Sequence, residues 1–188
     1  VSRHDRTGPL RVLLACSLAC LLGGCGLIGG PKLLRGDAPQ IMTVTSPVFR
    51  QGTIPRRYTC AGPGESPPIY WSGTPRGTKS LALVVDDANA PITPRVYWIV
   101  FDIDPARAGI QAGQLPPGAR QARNSAGRAS YDPPCPTPGD HRYRFSIYAL
   151  STVLRGLPNG SGLKATWSAI AHYAIARGTV SASAQYGQ

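Results

Sequence analysis

The sequence predicts a mainly β domain, on three observations. Nineteen prolines and 22 glycines interrupt the chain too often for long helices, since proline removes a backbone donor and glycine permits sharp turns. Between the interruptions lie runs of strand length that are either continuously apolar or alternating. Only Leu163 to Arg177 sets its apolar residues (Leu163, Trp167, Ile170, Ala171, Ala174, Ile175) at helical spacing over several turns.

Taken in order, residues 1–24 read as a lipoprotein signal peptide rather than as part of the fold. Arg3, Arg6 and Arg11 give a basic start, and Val12 to Gly24 is an apolar run of 13 residues. That falls short of the roughly 20 residues that span a bilayer and suits a signal h-region. The run ends Leu22-Gly23-Gly24-Cys25, which resembles a bacterial lipobox: a branched apolar residue, two small residues and a cysteine that is acylated and becomes the new N-terminus. Cys16 leaves too little apolar run before it, and Cys20 has Ser17 where the apolar residue belongs. The expected anchor is Cys25, carrying diacylglyceryl and N-acyl groups. Several acyl chains hold firmly, at about 0.8 kcal/mol per buried CH₂. The other reading is an ordinary signal segment whose cysteines are passive. Residues 25–40, with Gly29, Gly30, Pro31, Gly36 and Pro39, read as a flexible tether. The domain itself is expected over 41–188, on the extracytoplasmic side of a cell membrane.

Charge narrows the partners. The chain carries a net +11, from 17 arginines and 3 lysines against 9 acidic residues, and loss of residues 1–24 would leave +9. An arginine excess suits anionic headgroups, at about 1 kcal/mol per basic residue near a charged surface, or simply a solvated exterior. Nucleic acid is not expected, because no basic run is interleaved with aromatics. No Cys/His set has metal-ligand spacing. There is no Gly-x-Ser-x-Gly elbow and no phosphate-cradling glycine loop. Neither metal nor cofactor is expected.

Within the domain, Ile41 to Thr45 alternates weakly and reads as a first strand. Val48 to Gly73 reads as loop, broken by Pro55, Pro63, Pro67 and Pro68. Leu81 to Asp86 is almost wholly apolar and reads as a central strand. Arg95 to Ile103 reads as another, with Val96, Trp98, Val100 and Asp102 on one side and Tyr97, Ile99, Phe101 and Ile103 on the other. Pro105 to Ser130 reads as a long irregular excursion. Gly178 reads as the stop of the helix, followed by a last strand, Thr179 to Tyr186.

The organising stretch is Gly127 to Leu150. Pro133, Pro134, Pro136 and Pro138 stiffen its first half, and Gly139 permits a turn. The second half alternates, Arg142, Arg144 and Ser146 against Tyr143, Phe145 and Ile147, as a strand with one buried face. A stiff loop thus delivers His141 and Tyr143 to the mouth of a strand, which suits a small polar site.

This stretch, H-R-Y included, resembles the second signature of the phosphatidylethanolamine-binding protein family, which includes the Raf kinase inhibitor proteins. L-A-L-V-V-D-D-A-N-A-P (Leu81 to Pro91) resembles the first. L-P-P-G-A-R-Q-A-R-N-S-A-G-R-A-S-Y (Leu115 to Tyr131), P-R-R-Y-T-C-A-G (Pro55 to Gly62) and S-P-P-I-Y-W-S-G (Ser66 to Gly73) are similar to the bacterial branch. The resemblance runs from about Ile41 to the C-terminus. It implies a β-sandwich with one or two peripheral helices and a pocket for small anions such as phosphate, phosphoethanolamine or acetate. It places Asp87, Asn89, Tyr97, Pro134, His141 and Tyr143 in that pocket. Asn89 stands where the family has a second aspartate, Tyr97 where it usually has histidine, and Pro133 where glycine is usual. Together these predict less positive charge at the site. His172, on the helix, reads as solvated. Cys60 and Cys135 lie in loops near the site and can form a disulfide in an oxidising compartment, or remain two small buried thiols.

The function expected is non-catalytic binding of a small anion or a phospholipid headgroup, with His141 and Tyr143 as donors and Asp87 orienting the imidazole. The alternatives are an inhibitor or scaffold that docks a protease or kinase and, more remotely, a hydrolase with an unmarked nucleophile.

Overall fold

The computed structural model describes residues 38–87, 89, 94–135 and 141–184. The expected signal peptide, Cys25, most of the tether and the Pro136 to Gly139 turn lie outside the described residues, as do the last residues of the expected final strand.

Leu81 to Val85 are apolar without alternation because both faces of their strand are covered. This strand, β3 (Ser80–Asp87), lies at the centre of a five-stranded antiparallel sheet. On one side it pairs with β4 (Val96–Ile103), and β6 (Arg120–Gln121) adds outside that. On the other side it pairs with β7 (Arg142–Leu150), followed by β8 (Ala174–Ser183). A second antiparallel sheet has the order β1 (Thr43–Thr45), β2 (Ile69–Ser72), β5 (Gly109–Ile110). Between the sheets, Leu83, Val85, Trp98, Val100, Phe145 and Ile147 pack with Val44, Ile69, Trp71 and Ile110. The opposite face of the large sheet presents Val84, Ile99, Phe101, Tyr148 and Leu150 to Trp167 and Ile170 of the helix α1 (Leu163–Tyr173). Tyr148 and Trp167 meet edge to face at 5.5 Å between ring centroids, a favoured aromatic geometry. The result is the mainly β sandwich expected, with one α-helix among the described residues.

Four expectations are corrected. The stretch Val48 to Gly73 holds a strand, β2, and the excursion Pro105 to Ser130 holds β5 and β6. Strands of two to four residues carry too little periodicity to register. In β7, Ser146 is buried rather than solvated and bonds to the Thr179 hydroxyl at 3.0 Å, because β8 and α1 cover the far half of that face. The helix ends at Tyr173, four residues early. Ala174, at φ −68° and ψ 122°, turns the chain straight into β8. Gly178 therefore lies inside a strand, where a Cβ would stand 2.3 Å from the Met42 carbonyl oxygen. Close approach of two backbones, not a helix stop, explains that glycine.

Strand β4 does not alternate cleanly. Val85 pairs with Trp98 but Asp86 with Val96, so Tyr97 is the extra residue of a β-bulge. A bulge re-aims its side chain, and Tyr97 joins Trp98 on the inter-sheet side instead of following Ile99 and Phe101.

The outer edge of β8 is met by segments from the start of the domain. Gln40 bridges to Arg177 and Thr53 to Ser183, both in parallel. Met42 N–H donates to the Arg177 carbonyl at 3.0 Å, and Ile54 N–H to that of Ser183 at 2.8 Å.

Candidate functional site

The site is built where β3 ends and β4 and β7 begin, an arrangement that antiparallel pairing dictates. Asp86 and Asp87 are consecutive on β3 and point to opposite faces. Asp86 faces Arg144 directly across the pairing with β7 and receives both its Nε (2.9 Å to Oδ1) and its Nη2. This hydrogen bond is the main cause that raises the Arg144 pKa. A two-pronged, nearly buried pair of this kind orients two strands.

Asp87, 3% exposed, is spoken for differently. Its Oδ1 accepts the Asn89 N–H at 2.9 Å, a local turn that uses the carboxylate as a cap. Its Oδ2 lies 2.8 Å from Nδ1 of His141, whose side chain is 25% exposed. Next to Asp87 across the pairing stands Tyr143, wholly buried. Its ring lies near-parallel to His141 at 6.3 Å and edge-on to Tyr97 at 5.2 Å. The Tyr143 hydroxyl makes no well-formed hydrogen bond among the described residues, with the Tyr97 phenol its near neighbour. Burial first, and then the neighbouring Tyr97 and Asp87, push its phenol well above the usual range. Burial also raises Tyr97, partly offset by Arg95.

The bulge at Tyr97 hangs the next loop in place. The Tyr97 carbonyl accepts the Asp132 N–H at 3.0 Å and Nδ2 of buried Asn124 at 3.2 Å. Asn124 also receives the Ala126 and Arg128 N–H groups on Oδ1, which shapes the N-S-A-G-R run into a turn. Asp132 is thereby set beside Arg95, with Nη2 to Oδ2 at 2.9 Å, and it pairs with Arg128 through its other oxygen. The Arg95 guanidinium also lies over the Tyr97 ring, 5.2 Å from its centroid.

Arg95, Tyr97, Asp132 and Pro133 line a cavity of about 210 Å³, closed on one side by Cys60 and Cys135. Those two cysteines form a disulfide with their Cα atoms 5.2 Å apart. The Cys60 N–H donates to the Pro134 carbonyl at 3.0 Å, so buried Pro134 holds the wall through its backbone. A larger groove of about 360 Å³, lined by Pro47, Val48, Pro55 and Tyr58 among others, has Arg50 and Arg57 but neither histidine nor carboxylate among its described lining residues. The smaller cavity is the chemically equipped one.

Asp87, Asn89, Tyr97, His141 and Tyr143 are therefore connected by contacts at one end of the sheet, and Tyr97 links them to the cavity wall. His172 is exposed on α1, packed against Tyr173. Among the described residues no three His, Cys, Asp or Glu side chains converge as a metal-ligand set. Sequence reasoning missed Arg95 and Asp132. Arg95 lies outside the quoted motifs, and Asp132, though inside the Gly127 to Leu150 stretch, has no spacing to Arg95 that marks the two as partners.

A family model described as phosphatidylethanolamine-binding protein matches residues 44–185. The chain belongs to the phosphatidylethanolamine-binding protein family. It is 39% identical over 167 residues to a Mycobacterium tuberculosis protein named as a candidate lipoprotein, LppC, covering 79% of this chain and 83% of that one. It is 46% identical over 116 residues to a UPF0098 protein of Methanothermobacter thermautotrophicus, covering 59% of this chain and 77% of the relative. Among solved structures, E. coli YbcL, described as a member of the mammalian family, superposes with a TM-score of 0.71 at 27% identity over 77% of this chain and 98% of its own. A Chlamydia trachomatis homologue of the family gives 0.67 at 34% identity, over 79% of this chain and 99% of its own. The family fold thus accounts for both sheets and the helix. No helix of the described residues is long and apolar enough to cross a membrane.

Proposed function

We propose that this family member is a lipid-anchored, non-catalytic binding protein whose pocket takes a small oxyanion, free or as a phospholipid headgroup. The observation that carries the reading is the Asp87–His141 pair at 2.8 Å beside a buried Tyr143 hydroxyl that makes no well-formed hydrogen bond among the described residues. A buried polar atom left so in a folded protein calls for an explanation, and an incoming phosphate oxygen supplies one. Asp87, 2.8 Å from Nδ1, fixes the His141 ring beside the pocket, and an imidazole so placed is a donor to an anion when protonated. Among the described residues lining the adjoining cavity, the one carboxylate, Asp132, is paired with Arg95 and Arg128, which favours binding over turnover.

The anchor is Cys25. The lipobox-like run and a relative named as a candidate lipoprotein support it, and the Cys60–Cys135 disulfide suits an exported domain. In fractionated cells, Cys25→Ala should release the chain from membranes, and unchanged retention would remove the anchor from the reading. The pocket is tested by amide NMR of the full chain in nonionic detergent, titrated with phosphoethanolamine at pH 6. Saturable shifts should cluster at Asp87, Tyr97, His141 and Tyr143 and weaken in His141→Ala. No shifts at millimolar ligand would end the reading and leave a docked protein as the better account.

A further inference from the structure

An imidazole gives an oxyanion a charged donor only when it is protonated. A neutral imidazole brings no charge to an oxyanion. Tyrosine hydroxyls donate hydrogen bonds but bring no charge. The cavity wall, however, contains a cation that does not titrate. The Arg95 guanidinium is about half exposed and lies over Tyr97, while its partner Asp132, 9% exposed, is shared with Arg128. Among the described residues, two guanidinium groups share that one carboxylate, which leaves one positive charge in excess there. Arginine presents a planar fork of donors that matches phosphate geometry and stays charged at every physiological pH.

Resting on the binding reading above, we propose that Arg95 is the fixed-charge anchor of the pocket: it holds the tetrahedral oxyanion of the ligand at the mouth, balanced by Asp132 and Arg128. The charge lost where Tyr97 stands in place of a histidine is restored two residues earlier in the same strand approach. Among the described residues, the ionisable groups around this anchor are Asp132, Tyr97 and Tyr143, all of which favour its charged form, with Arg128 across Asp132 and the Asp87–His141 pair beyond Tyr143.

The test is calorimetric titration of the full chain in nonionic detergent with sulfate, whose charge is constant from about pH 6 to about pH 8.5, across the range in which histidine titrates. Wild type should keep its affinity within about threefold over that range. Arg95→Gln should lose about tenfold or more across that range. Arg95→Lys should stay closer to wild type. Asp132→Asn removes the competing charge and should tighten binding several-fold, which tests the anchor independently should Arg95→Gln fold poorly. Arg155→Gln, at an exposed site outside the cavity, controls for general charge and should change nothing. Arg95→Gln binding as wild type at every pH, or Asp132→Asn without effect, would overturn the anchor while leaving the pocket standing. No saturable binding by wild type to sulfate, phosphate or phosphoethanolamine at any pH would overturn the pocket and the anchor with it. Equal affinity for sulfate and phosphoethanolamine, or tighter phosphoethanolamine, both uphold the anchor and assign its ligand to free oxyanion or headgroup respectively.

Discussion

Nδ1 of His141 and Oδ2 of Asp87 stand 2.8 Å apart although 54 residues separate them in the chain. The pairing of β3 with β7 sets this contact, because Asp87 lies opposite Tyr143 and His141 is two residues further out. Asp87→Ala would strip both the imidazole and the Asn89 N–H of this partner. Loss of two hydrogen bonds to a buried carboxylate is expected to cost about 1–3 kcal/mol. Urea unfolding measures it, and an unchanged midpoint would mean that water replaces the carboxylate at no cost.

Tyr143→Phe should separate stability from function. The hydroxyl it removes is buried and makes no well-formed hydrogen bond among the described residues, so the folded state is expected to gain stability or stay level, within about 1 kcal/mol. Phosphoethanolamine binding should weaken in the same variant. A clear loss of stability would show that the hydroxyl is satisfied within the resting protein.

Gly178→Ala should be among the most damaging of small substitutions. The new methyl would sit 2.3 Å from the Met42 carbonyl oxygen, which is backbone and cannot swing aside. Overpacking of this kind costs about 1–3 kcal/mol or more. Gly156→Ala, where a Cβ meets nothing within 4 Å, is the matched control and should lie within about 1 kcal/mol of wild type. Equal melting temperatures for the two variants would contradict the close-approach reading.

Reduction of the Cys60–Cys135 bond releases a loop with a sequence separation of 75. Loop-closure arguments put its stabilisation at about 4 kcal/mol, and measured bonds of this kind commonly give about 2–4. The double variant Cys60→Ser/Cys135→Ser should therefore unfold at markedly lower denaturant, and its cavity wall should loosen, read as lower affinity for phosphoethanolamine.

Alkali should weaken the fold. Burial is the leading cause that raises Tyr143, Tyr97, Tyr131 and Tyr148 above the ordinary phenol value of 10.0. The native state thus holds these protons more tightly than the unfolded chain. Their contribution is complete below about pH 10 and drains away as pH rises through and beyond it. Guanidine midpoints should be level between about pH 8 and 9 and fall above about pH 10. A flat profile to about pH 11 would refute the burial argument.

The parts of the fold that could be read from sequence were those whose pattern is long and whose burial is simple. Leu81 to Asp86 is apolar throughout because two layers cover it, and Tyr143, Phe145 and Ile147 alternate because one face is buried before α1 arrives. Asp87, His141 and Tyr143 sit in signatures and could be named. The end of α1 could not, since Ala171 to Arg177 continues a helical pattern and only the pairing of Ala176 and Arg177 with β7 turns it to strand. Arg95 and Asp132 could not either. Their meeting depends on Tyr97 being an extra residue in β4, and strict alternation would have placed that side chain on the helix-covered face with Ile99 and Phe101.

Strand β8 is ten residues long and outermost in its sheet. An edge of that length, left open, offers a row of unpaired amides to any strand of a neighbouring molecule, and aggregation commonly starts there. Gln40 and Met42 occupy it near Arg177, and Thr53 and Ile54 occupy it at Ser183, while the opposite edge is β6, only two residues long. Two stretches of that long edge are thus taken by the chain itself, so copies crowded side by side find less of β8 to zip onto.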